Sequence, residues 1–237
     1  MRLPPLHWWR TVCFLIPVIA VVTIACGTAS LVSTFLDRRG RMAHRIAERW
    51  ARLLLRITGV RLERAGAALP GADTSCVFVA NHASFYDIPI LFAAVPRQLR
   101  IMAKATLGRV PFIGWHLKRA GHLLVDRERP GAAIFKRMQR TLRHGVSLIV
   151  FPEGARTLTG ELDEFKAGVF MLAIEHKLPI VPLSVAGSRD VMPRDRLMVT
   201  PGPVRVTVHD WIATDGMTRR DARELARRVR DIIAAAS

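Results

Sequence analysis

Between Thr11 and Leu36 the chain is apolar, interrupted only by small polar residues and by no charge. At about 1.5 Å per helical residue such a run is long enough to cross a hydrocarbon layer of about 30 Å. The pattern predicts one transmembrane helix, with Trp8 and Trp9 ahead of it at the level of an interface. A cleaved signal peptide is the alternative, because Arg2 and Arg10 precede the run and small residues surround Cys26. The run exceeds the roughly 7 to 15 residues of a signal's apolar core, and Thr23-Ile24-Ala25-Cys26 is a poor lipoprotein signal. A retained anchor is the reading adopted.

The period then changes. At about 100° per residue, Ile46, Trp50, Leu53, Leu54 and Ile57 fall on one face, while Arg45, Arg49, Arg52 and Arg56 form a narrow stripe beside it. This predicts an amphipathic basic helix. It is suited to an anionic membrane surface, and equally to packing its apolar face on the following domain with its arginines solvated; the two are compatible.

After Gly59 short apolar runs alternate with amphipathic stretches, the pattern of an α/β domain. Strands are expected at Cys76 to Ala80, His122 to Val125, Ser147 to Phe151, Ile180 to Val185 and Val204 to His209. The last alternates Val204, Val206 and Val208 with Arg205, Thr207 and His209, so one face is expected to be wet. The others are near-continuous apolar runs, as strands covered on both faces would be. One helix is expected from Pro130 to Gly145, with Ile134, Met138 and Leu142 at fourfold spacing. Another runs from about Thr218 to Ala235, opened by a Thr218-x-x-Asp221 capping box. The expected architecture is a mixed, mostly parallel sheet flanked by helices, preceded by the transmembrane and amphipathic helices. Residues 1–58 form the anchor and interfacial helix, and residues 59–237 the α/β catalytic domain.

Charge adds a partner class. With 36 Lys and Arg against 19 Asp and Glu the formal net charge is +17, which attracts polyanions: nucleic acid, anionic lipid headgroups or phosphorylated ligands. Zinc-finger spacing, an aromatic RNA-binding signature and a basic run separate from apolar sequence are all missing, so nucleic acid is not an expected partner. Arg38, Arg39, Arg41, Arg45, Arg49, Arg52 and Arg56 outnumber Arg2 and Arg10 on the other side of the apolar run. The positive-inside rule then puts the C-terminal domain on the cytoplasmic side of an inner or cytoplasmic membrane. Cys13, Cys26 and Cys76 are odd in number and widely spaced, with two inside the apolar run, so they suggest neither disulfides nor a thiolate metal site.

The chemistry concentrates in Asn81-His82-Ala83-Ser84-Phe85-Tyr86-Asp87, directly after a buried-strand candidate, where α/β proteins place reactive groups. Five residues separate His82 from Asp87, which on a continuous helix would splay them apart. Pro89 opposes a helix through residues 85 to 89, so a loop carrying His82 can fold back on Asp87 at a helix start. Asp87 would then fix the imidazole tautomer and leave the other ring nitrogen to take a proton from an attacking hydroxyl. A lone histidine beside a capping aspartate is the bland alternative, and His-x4-Asp does not by itself exclude it.

The heptad as a whole resembles the signature block of the glycerolipid acyltransferase family, whose best-known members acylate 1-acylglycerol 3-phosphate. Three more blocks resemble the family's, in order: Lys104-x-x-Leu107-x-x-x-Pro111-x-x-Gly114 followed by Val125-Asp126-Arg127; Phe151-Pro152-Glu153-Gly154-Ala155-Arg156-Thr157; and Ile180-Val181-Pro182-Leu183. The resemblance runs from about Cys76 to Val185. It implies His82 and Asp87 as catalytic residues, supported by Asn81 and Ser84. It further implies Lys104, Arg127 and Arg156 on a substrate phosphate, the arginines offering a bidentate fork, and Glu153 and Gly154 at the acceptor. An ion pair between Glu153 and Arg156 is the plainer use of that glutamate. Most members have Thr where Ala155 stands and Ser where Thr157 stands, a local departure, since Phe165-Lys166-Ala167-Gly168 again resembles the family's continuation.

The implied reaction is direct transfer of an acyl group from acyl-coenzyme A or acyl-carrier protein to a lysophospholipid hydroxyl, without cofactor or metal. His116, His122, His144, His176 and His209 show no ligand spacing and read as surface or structural. A serine hydrolase built on Ser84 is disfavoured, because no Gly-x-Ser-x-Gly elbow occurs. A basic membrane-surface or nucleic-acid binding module without catalysis is the rival from another class. Glycerol 3-phosphate and lyso-ornithine lipid are the alternative acceptors within the family.

Overall fold

A computed structural model of the chain describes residues 6–37, 39–110, 113–125, 142, 145–157, 161–195 and 198–236. Arg2, Arg38, Pro111, Arg127, His144 and most of the helix expected from Pro130 to Gly145 lie outside them.

Among the described residues seven strands make one sheet: β1 Val60–Gly66, β2 Val77–Ala80, β3 Leu99–Lys104, β4 Leu123–Val125, β5 Ser147–Val150, β6 Ile180–Ala186 and β7 Gly202–Val208. Their order is β1-β7-β6-β2-β5-β3-β4. Five of them, from β6 to β4, are parallel; β7 runs antiparallel to β6, and β1 is parallel to β7. The mixed, mostly parallel sheet expected from the sequence is therefore present. Two strands, β1 and β3, are additions to the five expected.

The two-residue period of the central strands feeds two cores. Phe78 and Ala80 of β2, Ile149 of β5 and Val181, Leu183 and Val185 of β6 join the core on one face of the sheet. Val77, Val79, Leu148, Val150 and Ile180 join the other. Helices α2 Arg41–Thr58 and α3 Asp87–Ala94 cover the first face. Helices α5 Gly168–Glu175 and α7 Ala222–Ala234 cover the second, while α4 Ile113–Arg119 and α6 Ser188–Val191 lie in connections. The expected capping box before α7 forms, with the Thr218 N–H donating to Asp221 Oδ2 at 2.7 Å.

The apolar run forms α1, Arg10–Leu36, the single stretch among the described residues long and apolar enough to cross a membrane. It opens with a π-helical stretch, Arg10–Leu15, and continues as α-helix through Ile16–Leu36. It is fastened along its length. Arg10 Nη2 donates to Thr58 O at 3.1 Å, and Thr11 Oγ1 accepts from Val199 N at 3.2 Å. Trp50 Nε1 donates to Thr23 Oγ1 at 3.1 Å, and Arg119 Nε to Thr34 Oγ1 at 2.9 Å. Leu15 is fully buried in the same core as α2 and the sheet. Val21, Ile24, Val32, Phe35 and Leu36 face outward. Helix α2 buries Ala51, Leu54 and Leu55, leaves Arg45, Arg49, Arg52 and Arg56 exposed, and ends at Gly59, whose left-handed backbone stops the helix.

Candidate active site

The parallel strands all end at one edge of the sheet, where an α/β protein offers open backbone and room for a ligand. Ala80 ends β2 there, and the next four residues form a loop. Asn81 fixes where that loop leaves the sheet. Its Nδ2 donates to Val185 O at 2.9 Å and its Oδ1 accepts from Val185 N at 2.8 Å, so one buried side chain satisfies both backbone groups of a β6 residue.

The loop folds back on the start of α3. Asp87 is fully buried, and its Oδ2 accepts three hydrogen bonds of 2.8 Å, from His82 Nδ1, Ala83 N and Ser84 N. A carboxylate in the first turn of a helix is favoured by the helix dipole, and Pro89 is tolerated in that turn because its missing N–H would have no intrahelical partner. Since a carboxylate only accepts, the His82 proton resides on Nδ1 and the Nε2 lone pair is left for another donor. The ring stacks on Phe151, with centroids 4.1 Å apart and planes 20° apart.

The third block closes around the same histidine. Glu153 Oε1 accepts from His82 N at 2.7 Å, and Thr157 N donates to His82 O at 2.9 Å. Both backbone polar groups of His82 are thus held by the turn that follows β5. Glu153 is buried, with Oε2 accepting from Asp163 N at 3.4 Å, and burial pushes its carboxyl up to about 7. Its hydrogen bonds go to backbone N–H groups rather than to Arg156. Gly154 has φ +83°, a left-handed turn position, and a Cβ there would sit 3.0 Å from Lys166 Nζ. Ala155 is exposed, so the missing hydroxyl strands no buried partner.

Arg156 lies over the exposed ring of Phe85, 3.5 Å from its centroid. Arg194, outside every block, donates from Nη1 to Arg156 O. Among the described residues neither guanidinium pairs with a carboxylate. Lys104 is exposed at the end of β3 on the same edge, with β5 between it and β2, so it stands roughly 10 Å from the His82 loop by strand spacing. Arg127 is outside the described residues. Ser84 is fully buried, donates from Oγ to Met192 O at 2.8 Å and accepts from Tyr86 N at 3.1 Å, so its hydroxyl is already used in both senses.

Sequence reasoning assigned no role to Phe151, Thr157 or Arg194. The first two stand inside a quoted block and were within reach of it. Arg194 carries no motif, and it is the folded contacts, Ser84 Oγ to Met192 O and Arg194 itself to Arg156 O, that bring its segment here.

A family model described as Acyltransferase matches residues 58–186, more than half of the chain. The chain belongs to the acyltransferase family. The 1-acyl-sn-glycerol-3-phosphate acyltransferase BAT2, chloroplastic, of Brassica napus is 30% identical over 208 residues, 84% of this chain and 60% of that protein. A 1-acyl-sn-glycerol-3-phosphate acyltransferase of Cocos nucifera is 34% identical over 167 residues, 69% of this chain and 54% of that protein. The chain thus spans little more than half the length of these relatives. The crystal structure of the 1-acyl-sn-glycerophosphate (LPA) acyltransferase PlsC from Thermotoga maritima superposes with a TM-score of 0.76 at 25% identity, covering 98% of this chain and 97% of that one. Within this acyltransferase fold the matched residues run from the end of α2 to the end of β6 and include the His82 loop, Lys104 and the Glu153 turn.

Proposed function

We propose that this acyltransferase moves a fatty acyl group from a thioester, acyl-coenzyme A or acyl-carrier protein, to the free hydroxyl of 1-acylglycerol 3-phosphate, giving phosphatidic acid. The observation that carries the reading is the 2.8 Å contact of His82 Nδ1 with the buried Asp87 carboxylate, which leaves Nε2 as an oriented base at the sheet edge. The activities for which the relatives are named support the acceptor.

In this mechanism Nε2 takes the hydroxyl proton as the oxygen attacks the thioester carbonyl, and Asp87 stabilises the imidazolium that forms. Collapse of the tetrahedral adduct breaks the C–S bond, and the leaving thiolate takes the proton back from Nε2. The chemistry is proton transfer and addition–elimination on an already activated acyl group, so it calls on no metal or cofactor. Arg156 and Lys104 attract the phosphate of the acceptor, with Arg127 proposed as a third cation. Glu153 acts at the acceptor's end of the site by holding the His82 backbone, and Gly154 by supplying the left-handed turn beside Lys166. The engaged hydroxyl of Ser84 favours direct transfer over an acyl-serine intermediate.

The enzyme sits at a membrane through α1. Because α1 is hydrogen-bonded along its length to α2 and the domain, its outward face of Val21, Ile24, Val32 and Phe35 is the surface offered to lipid. The exposed arginines of α2 favour the anionic cytoplasmic leaflet.

The protein in phospholipid vesicles, given lysophosphatidic acid and radiolabelled acyl-coenzyme A or acyl-carrier protein, is expected to form phosphatidic acid; His82→Ala is expected to form it about 10²- to 10⁴-fold more slowly. A panel including glycerol 3-phosphate and lyso-ornithine lipid ranks the acceptors. Turnover of another acceptor with none of lysophosphatidic acid reassigns the substrate, and salt-sensitive DNA binding without any acyl transfer defeats the enzyme reading.

A further inference from the structure

The last helix is basic along one whole side. Ala222, Leu225, Ala226, Val229 and Ile233 of α7 are buried in the second core. Arg220, Arg223, Arg227 and Arg230, spaced three, four and three residues apart, therefore fall in one row on the outer side. Contacts with the neighbouring chain fix where the row lies. Arg219, Arg220 and Arg223 border a cleft of about 440 Å³ that Ala167, Met171 and Ala222 also line. Towards the other end of the helix, Arg230 Nη2 donates to Leu162 O at 2.9 Å and Nε to Asp163 O at 3.3 Å. Arg219 pairs with Glu175 at 2.6 Å and Arg227 with Glu224, but among the described residues Arg220 and Arg223 meet no carboxylate.

Three features choose the occupant. From Arg220 to Arg230 the row extends for about 15 Å at about 1.5 Å per residue, too long for one compact anion. It is flanked by Glu224 and Asp231, whose charges a phosphate-dense lipid or nucleic-acid surface would repel and a protein partner can pair. It also leads to the catalytic edge: Arg230 holds the segment whose Asp163 N–H donates to Glu153, and Glu153 holds the His82 N–H. We infer that this row docks an acidic carrier protein bearing the acyl thioester, on the face of the sheet opposite α2. Arg220 and Arg223 meet its carboxylates, and the cleft between α5 and α7 seats an apolar side chain within that charged rim. This rests on the acyl-transfer reading above and chooses between its two donors.

The test compares acyl-coenzyme A and acyl-carrier protein carrying the same acyl chain, with lysophosphatidic acid in detergent micelles. In the triple variant Arg220→Glu, Arg223→Glu, Arg227→Glu, KM for acyl-carrier protein is expected to rise about tenfold, with kcat and KM for acyl-coenzyme A held within about twofold. Added salt should raise the wild-type KM for the carrier, and raise it far less in the variant. The matching variant Arg220→Lys, Arg223→Lys, Arg227→Lys should stay near wild type. Arg45→Glu, Arg49→Glu, Arg56→Glu, an equal change of net charge on exposed positions of α2, should leave the carrier's KM within about twofold. An equal rise there means net charge alone and overturns the inference. So does an equal rise for both donors in the α7 variant, which means a structural role, or a rise for acyl-coenzyme A alone, which means a nucleotide-phosphate site. Unchanged KM for both donors overturns it as well, and weaker binding of that variant to phosphatidylglycerol vesicles would then make the row a membrane contact. Wild-type turnover of acyl-coenzyme A but not of acyl-carrier protein overturns the docking surface and leaves the acyl-transfer reading standing. If only the carrier protein is turned over, the same KM rise rescued by lysine supports the surface, and a loss of kcat without that rise overturns it. Turnover of neither donor with any acceptor defeats both.

Discussion

Two groups of histidines in this molecule use the same ring in opposite ways. At the sheet edge, His82 donates a hydrogen bond from Nδ1 to a carboxylate and keeps the Nε2 lone pair for a substrate. His44 on α2 and His122 after α4 accept at Nδ1 from the backbone N–H groups of Leu99 (3.4 Å) and Ile101 (3.1 Å), so their protons sit on Nε2. His116 stands beside His122, and the cation facing the group is the buried Arg100, whose guanidinium donates to the carbonyls of Leu99, Arg39 and Gly40. Burial first, and the Arg100 charge second, lower the pKa of all three: His44 to about 4, His122 well below its ordinary value, His116 in the same direction. A carboxylate makes a histidine a base; burial beside a cation makes it a neutral strut.

Breaking the first arrangement should have the largest effect. His82→Ala is expected to lower kcat about 10²- to 10⁴-fold, and Asp87→Asn to approach it, with circular dichroism unchanged. If either retained near-full activity, the sheet-edge histidine would not be the base. Next is Glu153. Removing the acceptor for a partly buried N–H costs about 1–3 kcal/mol, so Glu153→Ala should slow the enzyme about 5- to 100-fold, and Glu153→Gln less. Because its carboxyl ionises near pH 7, part of the loss of wild-type activity as pH falls through about 7 belongs to Glu153, and Glu153→Gln should flatten that limb of the kcat profile.

The strut histidines should show the reverse signature. His122→Leu strands the Ile101 N–H and should cost about 1–3 kcal/mol in chemical denaturation, with kcat per folded molecule unchanged. Acid should act on this group too. A histidine whose folded pKa is depressed leaves the unfolded chain to bind the proton first, so stability is lost as pH falls below about 6.5, and for His44 until about 4. Melting temperatures measured in detergent from about pH 7.5 to about pH 5 should fall, and His44→Gln should reduce the slope. Smallest is Ser84→Ala, expected to keep activity within about tenfold while loosening the Met192 segment, read as faster proteolysis there.

The sequence carried the central strands and the heptad because both are local signals. Val77–Ala80 and Ser147–Val150 are buried on both faces and read as apolar runs. Strand β1 gave no such signal: it lies at the sheet edge, exposes Glu63 and Arg64, and is held partly by an Arg205–Glu63 ion pair at 3.1 Å across to β7, a partner some 140 residues away. Asp87 meeting His82 could be argued from Pro89. Glu153 holding the His82 backbone could not, because β5 joins β2 only in the folded sheet. The same holds for the histidine struts, since nothing in a lone His44 or His122 announces which backbone N–H it will meet.

The burial of Leu15, with Arg10 and Thr11 tied to Thr58 and Val199, bears on how the protein can be engineered. Leu15 and the hydrogen-bonded side of the apolar helix belong to the packed domain, so deleting residues 1–36 to obtain a soluble enzyme would uncover the side of α2 that packs on α1 and remove the partners of Thr58 O, Trp50 Nε1 and Val199 N. Repainting the outward positions Val21, Ile24, Val32 and Phe35 with polar residues, and leaving the inward stripe alone, is the route that keeps the fold while releasing it from lipid.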